Sequence, residues 1–227
     1  MAHSVQNHLR IAVADYDRVI RTYIPGYEEM LDNVVWWLGA IVRENGKVID
    51  LGGGTGALAQ AILSRLGKMQ VEIWDIDPQM MQLARERLSP YGDRVVVKEH
   101  SFLEKIDPCD AVVASLALHH IPQMETKAAV YANIYSALKP RGIFLNADAT
   151  LDDSEPGRAA MYRWWSHFMT TKGISEVEAY KLFEDWSGED TYQPLTDELA
   201  ALGKAGFHRP DVFWKFGPMT VYGGIKP

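Results

Sequence analysis

The chain has 227 residues, 47% hydrophobic and 23% charged, which suits one sizeable α/β domain with an appendage and argues against a disordered or fibrous chain. Lysine and arginine total 23 against 30 aspartate and glutamate, a formal charge of −7, and no basic run occurs, so a nucleic-acid partner is not expected. The lone Cys109 excludes an internal disulfide, and with no leader-like opening and no apolar stretch long enough for a bilayer, the expectation is a soluble cytoplasmic protein without membrane contact.

Residues 8–44 read as helical, broken at Pro25-Gly26. Strands and helices then alternate: strand 47–51, helix 57–66, strand 70–75, helix 79–89, strand 93–98, strand 110–115, helix 123–138 and strand 142–148. The apolar runs are short, β-branched and bounded by turns, as in strands covered on both faces. Such alternation predicts right-handed crossovers and a parallel, doubly wound, Rossmann-like α/β sheet. After Asp148 the rhythm changes to three helices, 155–172, 175–186 and 195–204, and then to strands 211–216 and 219–225 joined by Gly217-Pro218. The expected organisation is an N-terminal helical cover (1–44), a core (45–150), a helical lid (151–194), and a helix with a hairpin completing the core (195–227).

The stretch Val48-Ile-Asp-Leu-Gly-Gly-Gly-Thr-Gly56 ends an apolar strand and opens a helix. Its glycines permit a sharp turn and bring a ligand against bare backbone amides. Two readings fit. Gly52, Gly54 and Ala57 match the dinucleotide pattern G-x-G-x-x-G/A, a weak signal alone. Asp50, Gly52, Gly54 and Gly56 match D-x-G-x-G-x-G, and Asp50 would repel a pyrophosphate but attract a cation. Asp75, at the end of the second strand and about 20 residues beyond the turn, is placed to accept hydrogen bonds from ribose hydroxyls. Asp77 reads instead as a helix N-cap, followed by Pro78 at N1.

With that turn, Cys109-Asp-Ala-Val-Val113, the Leu116-Ala-Leu-His-His-Ile-Pro122 segment and Leu138-Lys-Pro-Arg-Gly142, residues 47–148 resemble the class I S-adenosylmethionine (SAM) methyltransferases. Arg141 replaces the usual first glycine of the last motif. The resemblance implies a final strand running antiparallel, SAM as cofactor, and Asp50, Gly52, Gly53, Gly54, Gly56, Asp75 and Ile76 among the residues that hold it. Further along, Ser101 and Phe102 fill the place where relatives often put an acidic adenine partner. Ser115 and Leu116 complete the implied set at the end of the fourth strand.

The flanks, with Tyr16-Asp-Arg18, Ile24-Pro-Gly-Tyr27 and Lys204-Ala-Gly-Phe207, resemble small bacterial and archaeal methyltransferases related to carboxy-SAM synthase. In that group the N-terminal segment is expected to fold over SAM, which singles out Tyr16 and Tyr27. The extra carboxylate is expected to be held by an arginine shortly before the Lys-Ala-Gly-Phe corner. Leu199, Ala200 and Ala201 occupy that stretch, so ordinary SAM is the implied donor.

Methyl transfer from a sulfonium needs the nucleophile held about 3 Å from the methyl, water excluded, and a proton accepted where one is released. His119 and His120, beyond strand four, and Asp148, at the end of strand five, are the candidate catalytic groups. Against this, one histidine could simply line the pocket and the other pack. Trp164, Trp165 and His167 are the candidate acceptor-side residues of an aromatic lid that could stack or make cation–π contacts. No metal is expected, since no paired ligand spacing occurs and the two histidines are adjacent. The expected function is methylation of an O or N atom of a small-molecule acceptor. A SAM-modifying or RNA-nucleoside enzyme and a non-catalytic SAM sensor are the alternatives, and the aromatic lid leaves a homodimer open.

Overall fold

The computed structural model describes residues 15–227, and the helical expectation for residues 8–14 lies outside them. Helix α1 (Tyr16–Tyr23) and helix α2 (Tyr27–Ile41) are separated at Pro25-Gly26. Then come β1 (Lys47–Leu51), α3 (Ala57–Arg65), β2 (Gln70–Asp75), α4 (Pro78–Leu88), β3 (Val95–Glu99) and β4 (Cys109–Ser115). The chain continues through α5 (Met124–Ala137), β5 (Leu138–Ala149), α6 (Glu155–Thr171), α7 (Glu176–Trp186) and α8 (Leu195–Ala205). It ends in the hairpin β6 (Asp211–Phe216) and β7 (Met219–Ile225).

The seven strands form one sheet in the order β3-β2-β1-β4-β5-β7-β6. β1 to β5 pair in parallel, and β7 lies antiparallel between β5 and β6. This is the expected architecture, antiparallel strand included. Alternation along the strands loads both faces. Ile49, Val112 and Phe144 join the core under α5 and α8, whereas Val48, Val113 and Leu145 join the core under α1 to α4, α6 and α7.

Local chemistry sets the element ends. The Asp77 carboxylate accepts the Gln79 and Met80 amide hydrogens, with Pro78 at N1, as read from the sequence. Ser175 and Glu178 form a capping box that starts α7. Two boundaries differ from expectation. β3 starts at Val95, because Ser89–Arg94 winds into a short 3-10 turn around Pro90 with Gly92 at φ 54°. β5 starts at Leu138, because the Lys139-Pro140-Arg141-Gly142 corner stays at the sheet edge, shifting register against Cys109.

Among the described residues no helix is long and apolar enough to cross a membrane. The order reverses at β1, flanked by β2 and β4, so the crevice beyond the carboxyl ends of these strands is the natural ligand position.

Candidate active site

A cavity of about 600 Å³ opens at that position, within the size range of small-molecule sites. Asp50 from β1, Asp75 and Ile76 from the end of β2, Ser115 and Leu116 from β4, and the Gly52-Gly53-Gly54 turn line it. Ser101, Phe102, His119, His120, Tyr16, Tyr27 and Trp165 do so as well. No lysine or arginine is among the described lining residues.

The turn is built for close approach. Gly52 sits at φ 65°, and a Cβ there would come within 2.5 Å of the Ala117 Cβ. Its N–H and that of Gly53 donate to the Trp74 carbonyl at 2.8 and 3.1 Å, tying the turn to β2. Gly56 does not line the cavity; at φ 78° it begins α3, and a Cβ would strike the Leu88 side chain at 2.8 Å. Its glycine serves helix packing.

The two acids of the turn differ in their partners. Asp75 accepts the Gly54 amide hydrogen on Oδ2 and the Asp77 amide hydrogen on Oδ1, both at 2.8 Å. Asp50 is fully buried, and neither of its oxygens has a hydrogen-bond partner among the described residues. Burial, and secondarily Asp75, push the Asp50 carboxyl up to about 7. A buried carboxylate without donors calls for a cation, and an ammonium meets that need where a pyrophosphate would not.

Beyond Asp75 the cavity wall becomes apolar. Ile76 and Leu103 line it while remaining 46% and 59% exposed, so a flat ring between them would cover both. The Ser101 hydroxyl accepts the Leu103 amide hydrogen at 3.2 Å, so part of its capacity is already used in the loop.

At the other end stand the histidines. His119 is buried, with Nδ1 2.6 Å from Asp148 Oδ1, and its backbone N–H donates to Asp148 Oδ2 at 3.1 Å. Burial opposes charge on this imidazole, but the Asp148 and Asp190 carboxylates outweigh it and hold its pKa above the ordinary value. Asp148 itself does not line the cavity; it lies behind His119, and despite burial its partner holds its pKa below the usual carboxylate range.

Asp190 is the residue the sequence did not reveal. Its Oδ1 lies 3.5 Å from His119 Nε2 and 3.2 Å from His120 Nδ1, while Oδ2 accepts the Tyr192 hydroxyl at 2.7 Å. The three side chains present one ligand atom each, all within 4.8 Å of one another. No metal is expected from spacing along the chain, and the third group of this cluster comes from the turn after α7.

The lid contributes an aromatic wall. Trp165 lies between Trp186 and Tyr192, with ring centroids 5.9 and 5.8 Å away, and its Nε1–H donates to the Tyr23 carbonyl at 2.6 Å, fastening α6 to α1. Trp164 and His167 fall outside the cavity. The first packs edge-on against Phe216 of the hairpin, and the second is exposed on α6. Leu199 and Ala201 belong to the core under α8, also away from the cavity.

A profile of the methyltransferase-domain family matches residues 49–144. An uncharacterised methyltransferase of Geobacillus kaustophilus is 30% identical over 205 residues, spanning 86% of this chain and 82% of the relative. The carboxy-S-adenosyl-L-methionine synthase of a Psychrobacter strain is 26% identical over 221 residues, spanning 90% of this chain and 80% of the relative. In three dimensions, an O-methyltransferase family protein from Burkholderia thailandensis superposes with a TM-score of 0.71 at 21% identity, covering all of this chain and 64% of that one. With Asp50 suited to an ammonium and the strand order on the page, the chain belongs to the class I S-adenosylmethionine-dependent methyltransferases, and S-adenosylmethionine is its cofactor.

Proposed function

We propose that the enzyme methylates an oxygen or nitrogen atom of a small, uncharged or cationic acceptor, using ordinary SAM. The observation that carries this reading is the lining of the cavity: acids, histidines and aromatics, with no lysine or arginine among the described lining residues. Phosphates of an RNA need such cations, and so does the extra carboxylate of carboxy-SAM. The likeness to carboxy-SAM synthases therefore does not carry over to the reaction.

SAM supplies a methyl group on positively charged sulfur, so the sulfur leaves with the bond's electron pair as a neutral thioether while the acceptor atom gains the methyl. The chain's own residues have four tasks. Asp50 holds the ammonium, and Asp75 accepts from the ribose hydroxyls. Ile76, Phe102 and Leu103 enclose the adenine. Tyr16, Tyr27 and Trp165 roof the reacting atoms and exclude water.

The fourth task is the proton. With Nδ1 held against Asp148, the His119 ring presents Nε2 at the cavity wall, where Asp190 also stands. An acceptor that loses a proton delivers it there, and Asp148 positions the ring and stabilises the imidazolium. His120 stands beside it at the same wall.

Incubation with SAM and a panel of phenols, hydroxy acids and amines, read out as S-adenosylhomocysteine formed, tests this reading. Turnover of at least one small acceptor is expected. A copurified nucleoside with the mass of carboxy-SAM, or turnover confined to RNA, would overturn it.

A further inference from the structure

We propose that His119 Nε2, His120 Nδ1 and an Asp190 carboxylate oxygen form a three-ligand site for a divalent transition cation, with an open position facing the acceptor. The inference goes beyond the methyl-transfer reading, because the site would bind its ion whether or not a given acceptor is turned over.

The first argument is distance. Ligand atoms about 2.0–2.1 Å from a tetrahedrally coordinated ion stand about 3.3–3.4 Å from one another. Asp190 Oδ1 lies 3.5 Å from His119 Nε2 and 3.2 Å from His120 Nδ1. A charge-assisted hydrogen bond between imidazole and carboxylate is nearer 2.7–2.9 Å, or roughly that, and His119 makes one such contact on its other nitrogen, 2.6 Å from Asp148 Oδ1. The Asp190 spacings lie close to those between ligands of one ion, and all three ligand atoms fall within 4.8 Å of one another.

The second argument is support behind the ligands. His119 Nδ1 lies 2.6 Å from Asp148 Oδ1, the carboxylate–histidine arrangement typical behind a metal, which leaves Nε2 as the nitrogen that can meet an ion. Its Nε2 faces the Asp190 carboxylate 3.5 Å away, a pairing that either a proton or a divalent cation between them satisfies. Asp190 Oδ2 is held by the Tyr192 hydroxyl, which directs Oδ1 toward the histidines.

The third argument is preorganisation. The Thr191 N–H donates to the His119 carbonyl at 2.9 Å, so the Asp190 turn is pinned to the histidine pair through the backbone. The Asp190 side chain is only 4% exposed. Three side chains from two distant segments are thereby gathered at the wall of a ligand cavity. Two imidazoles and one carboxylate favour zinc-like or cobalt-like ions over magnesium or calcium.

The consequence is chemical. An acceptor hydroxyl bound at the open position ionises more readily, its proton passing to bulk water, and the acceptor class narrows to oxygen nucleophiles that can bind an ion. His119 then acts as a ligand, the cation standing where the acceptor's proton would otherwise go.

The test uses tag-free full-length protein freed of metal by chelation and titrated with cobalt(II) and, separately, zinc(II). One equivalent of cobalt is expected to bind and to give the visible absorption of a four- or five-coordinate ion, with zinc displacing it. Asp190→Ala and His120→Ala, when their near-ultraviolet circular dichroism matches wild type, are expected to lose that spectrum. Asp148→Asn is expected to weaken zinc binding by about 10–100-fold. Wild-type protein that binds no stoichiometric cobalt overturns the proposal without recourse to any variant, and marks His119 as an imidazolium bridging two carboxylates. An unchanged cobalt spectrum in folded Asp190→Ala places the ion elsewhere and equally overturns it. Failure of methyl transfer leaves this readout intact, so the two readings fall separately.

Discussion

Asp50 and Asp75 end neighbouring parallel strands and line the same cavity, yet backbone amides hold only Asp75. Burial is the main cause that raises both carboxyls, with Asp75 adding to it at Asp50, and the Gly54 and Asp77 amide hydrogens counter it at Asp75. Asp50 instead stands ready to be paired by its ligand.

SAM affinity is therefore expected to depend on pH. In the free protein the Asp50 carboxyl is pushed up to about 7, against about 3.9 in an unfolded chain. Its burial costs nothing below the unfolded value and most above the folded one, so the free protein loses stability as pH rises through that window. A bound ammonium favours the anion and lowers the folded pKa, so binding expels a proton and tightens with rising pH up to about 7. Above about 8 the ligand's own amine loses its charge. Calorimetric titration with S-adenosylhomocysteine from about pH 5.5 to 7.5 should give Kd values that fall steadily, by at most tenfold per pH unit. Asp50→Asn should bind weakly and with a flat profile in that range; a flat wild-type profile would refute the assignment.

A polar clasp fastens the roof. Arg87 on α4 pairs with Asp17 on α1 and donates to the Thr55 carbonyl and hydroxyl at 2.9 and 2.8 Å, while the Thr55 hydroxyl donates to Asp17 at 2.8 Å. Ile20 is the one buried side chain of this two-turn helix, with Tyr16 and Tyr23 partly buried against the same core, so the clasp shares the task of holding α1 with modest apolar packing. Arg87→Met is expected to cost about 1 kcal/mol of global stability, read from urea midpoints, since the pair is only partly buried. The larger effect should be local: amide exchange across 16–23 and S-adenosylhomocysteine release both faster by roughly tenfold, or about 1.4 kcal/mol. Unchanged protection of α1 would show that something else holds the roof.

The cofactor end was legible in the sequence because its residues follow strand ends at fixed spacing. Asp50 and the glycines come one after another, and Asp75 ends the next strand, so local pattern places them together. The acceptor end depends on how the lid folds back. Asp190 reads as an ordinary polar residue in a turn, and only the bond from Thr191 N–H to the His119 carbonyl brings it to the histidines. Within α6 the error was rotational. Each residue turns the helix by about 100°, so Trp165 faces the cavity while Trp164 beside it meets the hairpin. Gly56 falls outside the cavity lining for a different reason: the same residue type serves ligand approach and tight packing, and spacing does not distinguish them.

Arg141 carries backbone strain in a left-handed conformation that suits glycine. It sits at φ 65° in the corner before the regular part of β5, with its N–H donating to the Lys226 carbonyl. A left-handed conformation costs a side-chain-bearing residue about 1–2 kcal/mol, and glycine returns roughly 0.5–1 of that through the unfolded chain. Arg141→Gly is expected to stabilise the protein by about 0.5–1 kcal/mol, seen as a higher urea midpoint with unchanged m-value. A loss of stability would mean that the arginine side chain contributes more than its strain costs.

Lys127 and Glu198 form a buried ion pair between α5 and α8, with Nζ 2.6 Å from Oε1 and each residue 2% exposed. The Tyr131 hydroxyl donates to the other Glu198 oxygen at 2.5 Å and lies 3.2 Å from the Tyr222 hydroxyl, which accepts from the Asn146 side-chain amide at 2.7 Å. The pair thus anchors a chain of hydrogen bonds reaching β5, two residues before Asp148. Glu198→Ala strands a buried ammonium and should cost about 3–5 kcal/mol. Lys127→Met together with Glu198→Gln removes both charges while keeping an acceptor for Tyr131, and should recover most of that loss. Urea unfolding of the three proteins decides the point. If the double variant were as unstable as Glu198→Ala, the pair itself, and not the isolated charge, would carry the stability, and the attraction in this interior would exceed the cost of taking both ions out of water.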